Sequence, residues 1–379
     1  MTANRNLADL ARSAATVPTA ASDPTLGANL IINGGMTVSQ RGTSFTGLGT
    51  ASTFTLDRWR TTLNGSNSAR YTISQETTGG PYANATWMKI ACTTGSSALG
   101  ANDSLFIQQK LEGNVCTSLN AVGGGSNAFV VSGRIILDAD AASSITFPAK
   151  MGMYFVSVGG TNRQYVSDIT IDADNTWQEF SVSVASDATA QFISGTVQGG
   201  ELGFTLLAGS NRVATADTWI NNAADFKTSS SDDILDASSN ILGLCEVKLE
   251  VGSTATAFQH EPYGDVLAKC HRYYWHINLL AGTRWLAGCY DATNALGTHL
   301  PFPVEMRAVP TSSHTSSVFR AGHNGSIHDS TITVGFTKDR WGYMPNINPF
   351  ASASQGQTYW ILDNGGTTVT GDVSFSAEL

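Results

Sequence analysis

Aromatic side chains beside turn residues are the groups in this sequence best suited to chemistry, because flat rings stack on the apolar faces of sugar rings. Trp341 and Tyr343, separated by one glycine, lie in a segment too polar for a core. Trp285 also lies near turn residues, and Trp59 belongs to the run Asp57-Arg58-Trp59, where it is either a core anchor or a site residue. These four aromatic residues are the predicted ligand-binding set.

Two further tryptophans and two carboxylate pairs have less support as site residues. Trp87 and Trp177 lie in or beside apolar runs and are expected in a core. Asp138 with Asp140, and Asp172 with Asp174, occupy alternate positions, and paired carboxylates are what a glycosidase requires. Both pairs border loop residues, which favours solvated turns.

Motifs of the common enzyme classes are missing from the sequence. There is no Gly-x-Ser-x-Gly elbow, Walker loop, His-Glu-x-x-His motif or dinucleotide fingerprint. The pattern favours a binding protein over an enzyme.

Composition narrows the possible partners. Of 379 residues only 13% are charged, and the net charge is −9. A surface of this sign repels phosphate backbones, so nucleic acid is an unfavourable partner, whereas neutral sugars remain possible ligands. The five cysteines form no CxxC pair and are expected to be buried, reduced thiols. No secretory signal or membrane-spanning run is recognisable, so no membrane insertion is expected.

Short apolar runs separated by Gly, Asn and Ser fill residues 29–263 and predict strands. Phe180, Val182 and Val184 alternate with serines, as in a sheet with one buried face. We expect a jelly-roll-type β-sandwich whose first strand, near Leu30 to Asn33, neighbours its last. The other predicted strands are Ala69–Gln75, Trp87–Cys92, Ser104–Leu111, Ala128–Asp138, Met151–Val158, Gln178–Ala185, Ala190–Val197, Gly203–Ala208 and Leu242–Val251.

Residues 264–379 are predicted to form a second, smaller β domain. Asp265 is expected to cap a short helix that ends near Arg272. Asn324-Gly325 and Asn364-Gly365 are typical of hairpin turns. The fold class is therefore all-β, with two β domains.

Six segments carry a family resemblance. They are NLIINGGMTVSQRGTS (29–44) with LDRW (56–59), LEVGS (249–253), CHRYY (270–274), FPVEMRAVPT (302–311) and the ending SAEL (376–379). In this order they resemble the phage tail-fibre and virion fibre protein family.

The resemblance implies a virion protein that is assembled in host cytoplasm as a homotrimer and attaches the particle to a glycan of the host surface. Many weak copies would then act together through avidity. Two alternatives stay open: a purely structural head-decoration or tail component, and a tailspike that degrades polysaccharide.

Residues 1–28 are predicted to be a tether that docks onto other virion proteins. Asn4 to Ala15 has the spacing of one short amphipathic helix, which is too short to be stable alone. A linker with two prolines follows it.

Resemblance to carbohydrate-binding jelly rolls implies a structural calcium ion between the loop of the first strand and the last strand. Asn33, Asp57, Glu246 and Glu250 are the oxygen ligands at the matching positions.

Overall fold

A computed structural model of the chain describes residues 27–379 except 97–98, 161, 222–223, 280–283, 291–295, 298–299, 315–318, 324–325, 330–332, 339–341, 349–357 and 364–370. Two compact units divide the chain. The first contains the described residues up to Thr37 together with Gly42–His260, and the second contains Val38–Arg41 and Glu261–Leu379. The second unit thus begins three residues before the predicted boundary at residue 264 and includes four residues from the first fifth of the sequence.

The first unit is an antiparallel β-sandwich. Its main strands are β1 (Ser44–Leu48), β2 (Thr53–Phe54), β3 (Arg60–Asn64), β4 (Arg70–Glu76), β5 (Trp87–Thr94), β6 (Ser104–Glu112), β7 (Phe129–Asp138), β8 (Ala149–Ser157), β9 (Arg163–Ile171), β10 (Gln178–Val184), β11 (Gln198–Ala208), β12 (Val213–Ala214), β13 (Thr218–Ile220), β14 (Lys227–Thr228) and β15 (Ile241–Val251). One sheet has the order β1-β4-β5-β15-β7-β10 and the other β13-β9-β8-β11-β6-β3-β2, while β12 and β14 form a separate parallel pair. A short helix α1 (Gly113–Cys116) and a 3₁₀ turn (Thr117–Leu119) follow β6.

The two sheets enclose one apolar core, as the period-two pattern predicts. Phe180, Val182 and Val184 are buried, whereas Ser181 and Ser183 are exposed. The all-β, jelly-roll-type fold class is confirmed.

Two predicted strands are wrong. Residues 30–33 form a turn, in which the backbone N–H of Ile31 donates to the Asn29 side chain and Asn33 has a φ of 59°. The backbone N–H of Leu30 still donates to the carbonyl oxygen of Leu249 at 2.9 Å, so this segment does adjoin the last strand. Residues 190–197 form a loop, and the strand β9 was not predicted.

The second unit contains a helix and two sheets. Helix α2 (Tyr263–His271) confirms the predicted helix, but its N-cap is Pro262 and Asp265 lies inside the first turn, so the capping role of Asp265 is wrong. The strands are β16 (Tyr274–Leu279), β17 (Arg284–Tyr290), β18 (Leu296–Gly297), β19 (Leu300–Pro301), β20 (Thr311–His314), β21 (Phe319–His323), β22 (Ser326–Asp329), β23 (Thr333–Lys338), β24 (Gly342–Asn348), β25 (Thr358–Asp363) and β26 (Gly371–Ser376). The sheets have the orders β16-β26-β20 and β19-β24-β18-β17-β25-β21-β22, with β23 also paired to β24. No helix in the described part of the chain has the length and apolar character to cross a bilayer.

Neither of the two predicted hairpin turns lies among the described residues. Antiparallel β21 and β22 flank Asn324-Gly325, with His323 opposite Ser326. Both this dipeptide and Asn364-Gly365 lie outside the described residues, as do residues 1–26 of the predicted tether.

The segment Val38–Arg41 is held in the second unit by its side chains. Gln40 donates to the carbonyl oxygen of Tyr274 at 2.9 Å and accepts from the backbone N–H of His276 at 3.3 Å. The Arg41 guanidinium lies 3.5 Å above the Tyr274 ring and 3.2 Å from the Glu378 carboxylate. Three of the resemblance motifs therefore meet here as structural partners.

The NGGM motif packs on β15 through a glycine. A Cβ atom added to Gly34 would lie 2.0 Å from the carbonyl oxygen of Val247, and the backbone N–H of Val247 donates to the Gly34 oxygen at 3.0 Å. A side chain at Gly34 would therefore force the backbone apart. At Gly35 the nearest atoms to an added Cβ belong to the Phe258 ring at 3.6 Å, an ordinary contact.

We expect Gly34→Ala to lower the free energy of unfolding by about 1–3 kcal/mol, since the new methyl group overpacks a backbone contact. Gly35→Ala is the matched control and should change it by less than about 0.5 kcal/mol. Urea denaturation of the full chain measures both values. Equal stabilities of the two variants would contradict the assigned contact.

Candidate functional site

A groove of about 640 Å³ opens on the outer face of the six-stranded sheet. We call it the Glu246 groove and define it by Tyr82, Arg134, Glu179, Glu246, Phe258 and His260. Arg134 on β7 and Glu179 on β10 point away from the core, because Ile135 and Phe180 beside them point into it. Its volume lies within the range of about 300–1,000 Å³ that is typical of small-molecule sites.

Glu246 enters this groove because of a backbone irregularity in β15. The pairing of β15 with β7 shifts between Cys245 and Lys248, which is a β-bulge. Glu246 lies in this bulge with a φ of 53°, in the left-handed region that non-glycine residues avoid. Bulges redirect side chains and are frequent next to functional sites.

The Glu246 carboxylate is the centre of a polar network. It accepts hydrogen bonds from the Tyr82 hydroxyl at 2.5 Å and from Arg134 Nε at 2.7 Å. His260 Nε2 lies 3.1 Å from it, and Arg134 Nη2 also donates to Glu179 at 2.6 Å. Glu246 itself is buried, whereas the Tyr82 side chain is 44% exposed.

Protonation states in the groove follow from these contacts. Burial and the acceptor Glu246 raise the pKa of Tyr82 well above its usual value, so its hydroxyl stays a donor at neutral pH. Burial alone would lower the pKa of Arg134, but Glu246 and Glu179 outweigh it and raise that pKa. Tyr82 and Arg134 are thus a fixed donor and a fixed cation rather than groups that exchange protons.

Two tryptophans hold the loop that carries Tyr82. Trp87 and Trp177 pack edge to face with centroids 5.3 Å apart. Their indole N–H groups donate to the carbonyl oxygens of Thr78 at 2.8 Å and Gly79 at 2.9 Å. Both rings belong to the packed interior or its margin, as predicted, and they fix the loop a few residues before Tyr82.

The structure places the predicted aromatic residues separately. Trp59 is fully buried, and its indole N–H donates to the carbonyl oxygen of Asn33 at 3.2 Å, so of the two roles left open it is a core anchor. Trp285 lies on β17 and Tyr343 on β24, but their side chains, and Trp341 as a whole, lie outside the described residues.

The four predicted calcium ligands occupy three different environments. The Asn33 amide donates to the backbone oxygen of Asp57 at 3.0 Å, while Glu246 lies in the groove network. Glu250 forms a fully buried ion pair with Lys248 at 3.1 Å and accepts two hydrogen bonds from Thr256 at 2.7 Å. In the described part of the chain, no three His, Cys, Asp or Glu side chains form a metal-binding group. The donors therefore do not fit a calcium ion as a set.

The two carboxylate pairs singled out in the sequence lie at turns, where Asp140 and Asp174 accept backbone hydrogen bonds. Asp140 accepts from the backbone N–H of Ala142, and Asp174 accepts from that of Ala139, both at 2.9 Å. Asp172 is exposed.

Sequence reasoning did not identify Tyr82, Arg134 or His260. Tyr82 lies in a Gly- and Pro-rich loop, and His260 lies near the end of the first unit. The spacing of these residues in the sequence does not show that they meet Glu246. Tyr82 and Arg134 lie 164 and 112 residues before Glu246, and it is the bulge in β15 that turns Glu246 towards them. The one signal in the sequence is a tyrosine that directly follows Gly79-Gly80-Pro81, a run typical of a turn.

No protein-family model matches the chain, and no curated protein matches it. Among solved structures it is similar to the arabinose-bound α-L-arabinofuranosidase MgGH51, at 12% identity and a TM-score of 0.31, over 66% of this chain but only 31% of that one. It is also similar to the CBM22-1 xylan-binding domain of Paenibacillus barcinonensis Xyn10C, at 12% identity and a TM-score of 0.27, over 62% of this chain and 100% of that one. Discoidin II of Dictyostelium discoideum matches at 11% identity and a TM-score of 0.17, over 75% of this chain and 80% of that one. Likeness at this level concerns the arrangement of strands and carries no argument about a ligand.

We expect Glu250→Gln to lower the free energy of unfolding by about 3–5 kcal/mol, because it leaves Lys248 buried without its counter-charge. Glu179→Gln removes an exposed partner of Arg134 and should cost less than about 1 kcal/mol. Chemical denaturation measures both variants. If EDTA lowered the stability of the unmodified chain and Glu250→Gln removed that effect, Glu250 would be a metal ligand after all.

Proposed function

We propose that this chain is a non-enzymatic attachment protein of a phage virion and that the Glu246 groove binds a neutral glycan of the host surface. The groove supports the glycan-binding part. The sequence motifs support the virion part, together with the homotrimer and the docking role of residues 1–28.

The observation that carries the glycan-binding proposal is the backbone of Glu246. A non-glycine residue in the left-handed region costs about 1–2 kcal/mol relative to its relaxed state. Glycine would adopt the same conformation without that cost. Retaining a glutamate there directs a carboxylate into an open groove, where it can accept hydrogen bonds from sugar hydroxyls.

Hydroxyl recognition also fits the rest of the groove. Arg134 and Tyr82 are donors, Glu246 and Glu179 are acceptors, and the exposed Tyr82 ring offers a flat apolar face. Such a mixture of donors, acceptors and an aromatic face suits the alternating polar and apolar surfaces of sugars.

The charge of the groove favours a neutral ligand. One guanidinium lies between two carboxylates, so the fixed charges of Arg134, Glu179 and Glu246 sum to −1. Anionic sugars would meet repulsion from Glu179, which is 73% exposed and faces the solvent side.

Several copies of a weak binding site give a higher overall avidity than one copy. A homotrimer presents three copies of each groove, and several fibres on one particle multiply that number, so weak individual sites give firm adhesion. A second recognition site at Trp341 and Tyr343 stays a prediction.

We expect Tyr82→Ala and Glu246→Gln each to weaken glycan binding by about tenfold or more, because each removes a polar contact inside the groove. An oligosaccharide array identifies the best neutral ligand of the full chain, and titration calorimetry then gives the affinity of each variant. Tyr263→Ala is the matched control, since Tyr263 is an exposed tyrosine of the second unit that is outside the groove.

Circular dichroism melting separates binding from folding. Full affinity in both groove variants would contradict the proposed site, and binding lost together with the folded state would assign Tyr82 and Glu246 to stability instead. A chain that binds no glycan on the array would favour the structural-component alternative.

A further inference from the structure

A second groove, of about 370 Å³, lies on the outer face of the seven-stranded sheet. We call it the Lys110 groove and define it by Arg60, Thr62, Gln108, Lys110, Gln198 and Glu201. None of these residues lines the Glu246 groove, which is on the other sheet.

Strand register brings the charged groups of this groove together. Arg60 on β3 lies opposite Gln108 on β6, and Lys110 on β6 lies opposite Glu201 on β11. Side chains at directly paired positions share a face of the sheet. Arg60, Gln108, Lys110 and Glu201 therefore form a contiguous polar surface across three strands.

Neither cation of the groove forms a close ion pair. Within the described residues, neither the Arg60 guanidinium nor the Lys110 ammonium forms an ion pair or a side-chain hydrogen bond, and Arg60 only lies 5.5 Å above the Phe54 ring. The Thr62 hydroxyl is buried at the groove and has no hydrogen-bond partner among the same residues. Elsewhere in the first unit, Arg134, Arg163, Lys227 and Lys248 are paired with carboxylates.

Glu201 does not neutralise these cations fully. Its carboxyl group lies 2.8 Å from the Tyr154 hydroxyl, which lies 2.9 Å from the Gln108 side-chain oxygen. Burial raises the pKa of Glu201, although Tyr154, Lys110, Gln198 and Arg60 act against the rise. The Tyr154 hydroxyl donates to the Glu201 carboxylate, and this single carboxylate can balance only one of the two positive charges of the groove.

The position of Tyr154 depends on a glycine in the adjacent strand. A Cβ atom at Gly203 would lie 2.3 Å from the Tyr154 ring, so the ring crosses β11 where there is no side chain. This places the hydroxyl within hydrogen-bonding distance of Gln108 and Glu201, two residues that line the groove.

We infer that the Lys110 groove is a separate binding site for a glycan that bears carboxylate groups, such as a polyuronate segment. Arg60 can bind a carboxylate through two parallel hydrogen bonds, and Lys110 adds a second positive charge. The unpartnered Thr62 hydroxyl and the amide of Gln198 can bind sugar hydroxyls. The groove volume exceeds that of a single small ion and suits a sugar ring.

Titration of the full chain with tetragalacturonate, and with its methyl ester as the neutral counterpart, tests this inference. We expect the acid to bind, the ester to bind at least tenfold more weakly, and the affinity for the acid to fall as salt rises. Lys110→Gln and Arg60→Gln should each weaken binding of the acid by about tenfold or more, whereas Lys110→Arg should retain most of it.

Two control variants keep the result specific to this groove. Lys89→Gln removes a half-buried lysine from the other sheet, and Glu246→Gln alters the other groove, so neither should change binding of the acid. Failure of the neutral-glycan proposal would therefore leave this test unaffected. Equal binding of acid and ester, or full affinity in folded Lys110→Gln, would overturn the inference, as would inorganic phosphate binding as tightly as the oligosaccharide.

Discussion

The bulge in β15 is the constraint on which the first unit depends. This strand is central in its sheet, paired on one side with β5 and on the other with β7. At the bulge the carbonyl oxygen of Val247 meets Gly34, Glu246 turns into the groove, and Lys248 follows as a buried charge that Glu250 neutralises. One irregular step in the ladder thus positions the NGGM turn, a ligand groove and a buried ion pair. The backbone N–H of Val247 donates to the Gly34 oxygen of the NGGM turn, and the Val247 carbonyl oxygen accepts from the Asn29 side chain, so both backbone groups of Val247 are satisfied although they leave the ladder.

Most strands of the first unit could be predicted from their apolar runs, including β6 and β15 despite their buried polar residues, whereas β9 could not. Strand β10 alternates between apolar residues and serines and was predicted to within a residue. Strand β9 was missed because Ser167 and Asp168 interrupt its apolar pattern, although both are satisfied by side chains from distant segments. The reverse error occurred at residues 190–197, where the backbone amides of Ala190 and Phe192 bond to the side chains of Asp187 and Asn120 rather than to a neighbouring strand. The local apolar pattern predicts which residues are buried. It does not predict which groups form hydrogen bonds with the backbone.

The residues of the candidate sites were harder to predict than the strands, because the contacts between them join segments that are distant in the sequence. Glu246 lies on the last strand of the first unit, as predicted, and its carboxylate accepts hydrogen bonds from Arg134 and Tyr82, which the predicted calcium site did not include. Trp59 was selected as a tryptophan in a motif, and the motif proves to serve packing, since its ring is buried against Asn33. The motifs that carry the family resemblance similarly pack on one another around Gln40 and Arg41. These motifs hold parts of the fold together. The candidate groove, in contrast, is formed by residues that belong to different segments and share no motif.

The two faces of the sandwich differ in the way their charges are balanced, and this difference follows from what covers each sheet. Over the six-stranded sheet, the loop carrying Tyr82 and the segment near His260 lie close to Glu246, so its carboxylate is bonded on several sides and Arg134 is shared between two acids. Over the seven-stranded sheet, the covering segment contributes Phe226, which packs on Phe106 and Tyr154 and brings no carboxylate to Arg60 or Lys110. The apolar cover at Phe226 leaves Arg60 and Lys110 without a close ion pair among the described residues, whereas the polar cover near Glu246 pairs Arg134. One groove of the sandwich therefore holds one cation between two carboxylates, and the other holds two cations and one carboxylate. Ligands of different charge would be sorted between the two grooves by electrostatics before any shape is compared.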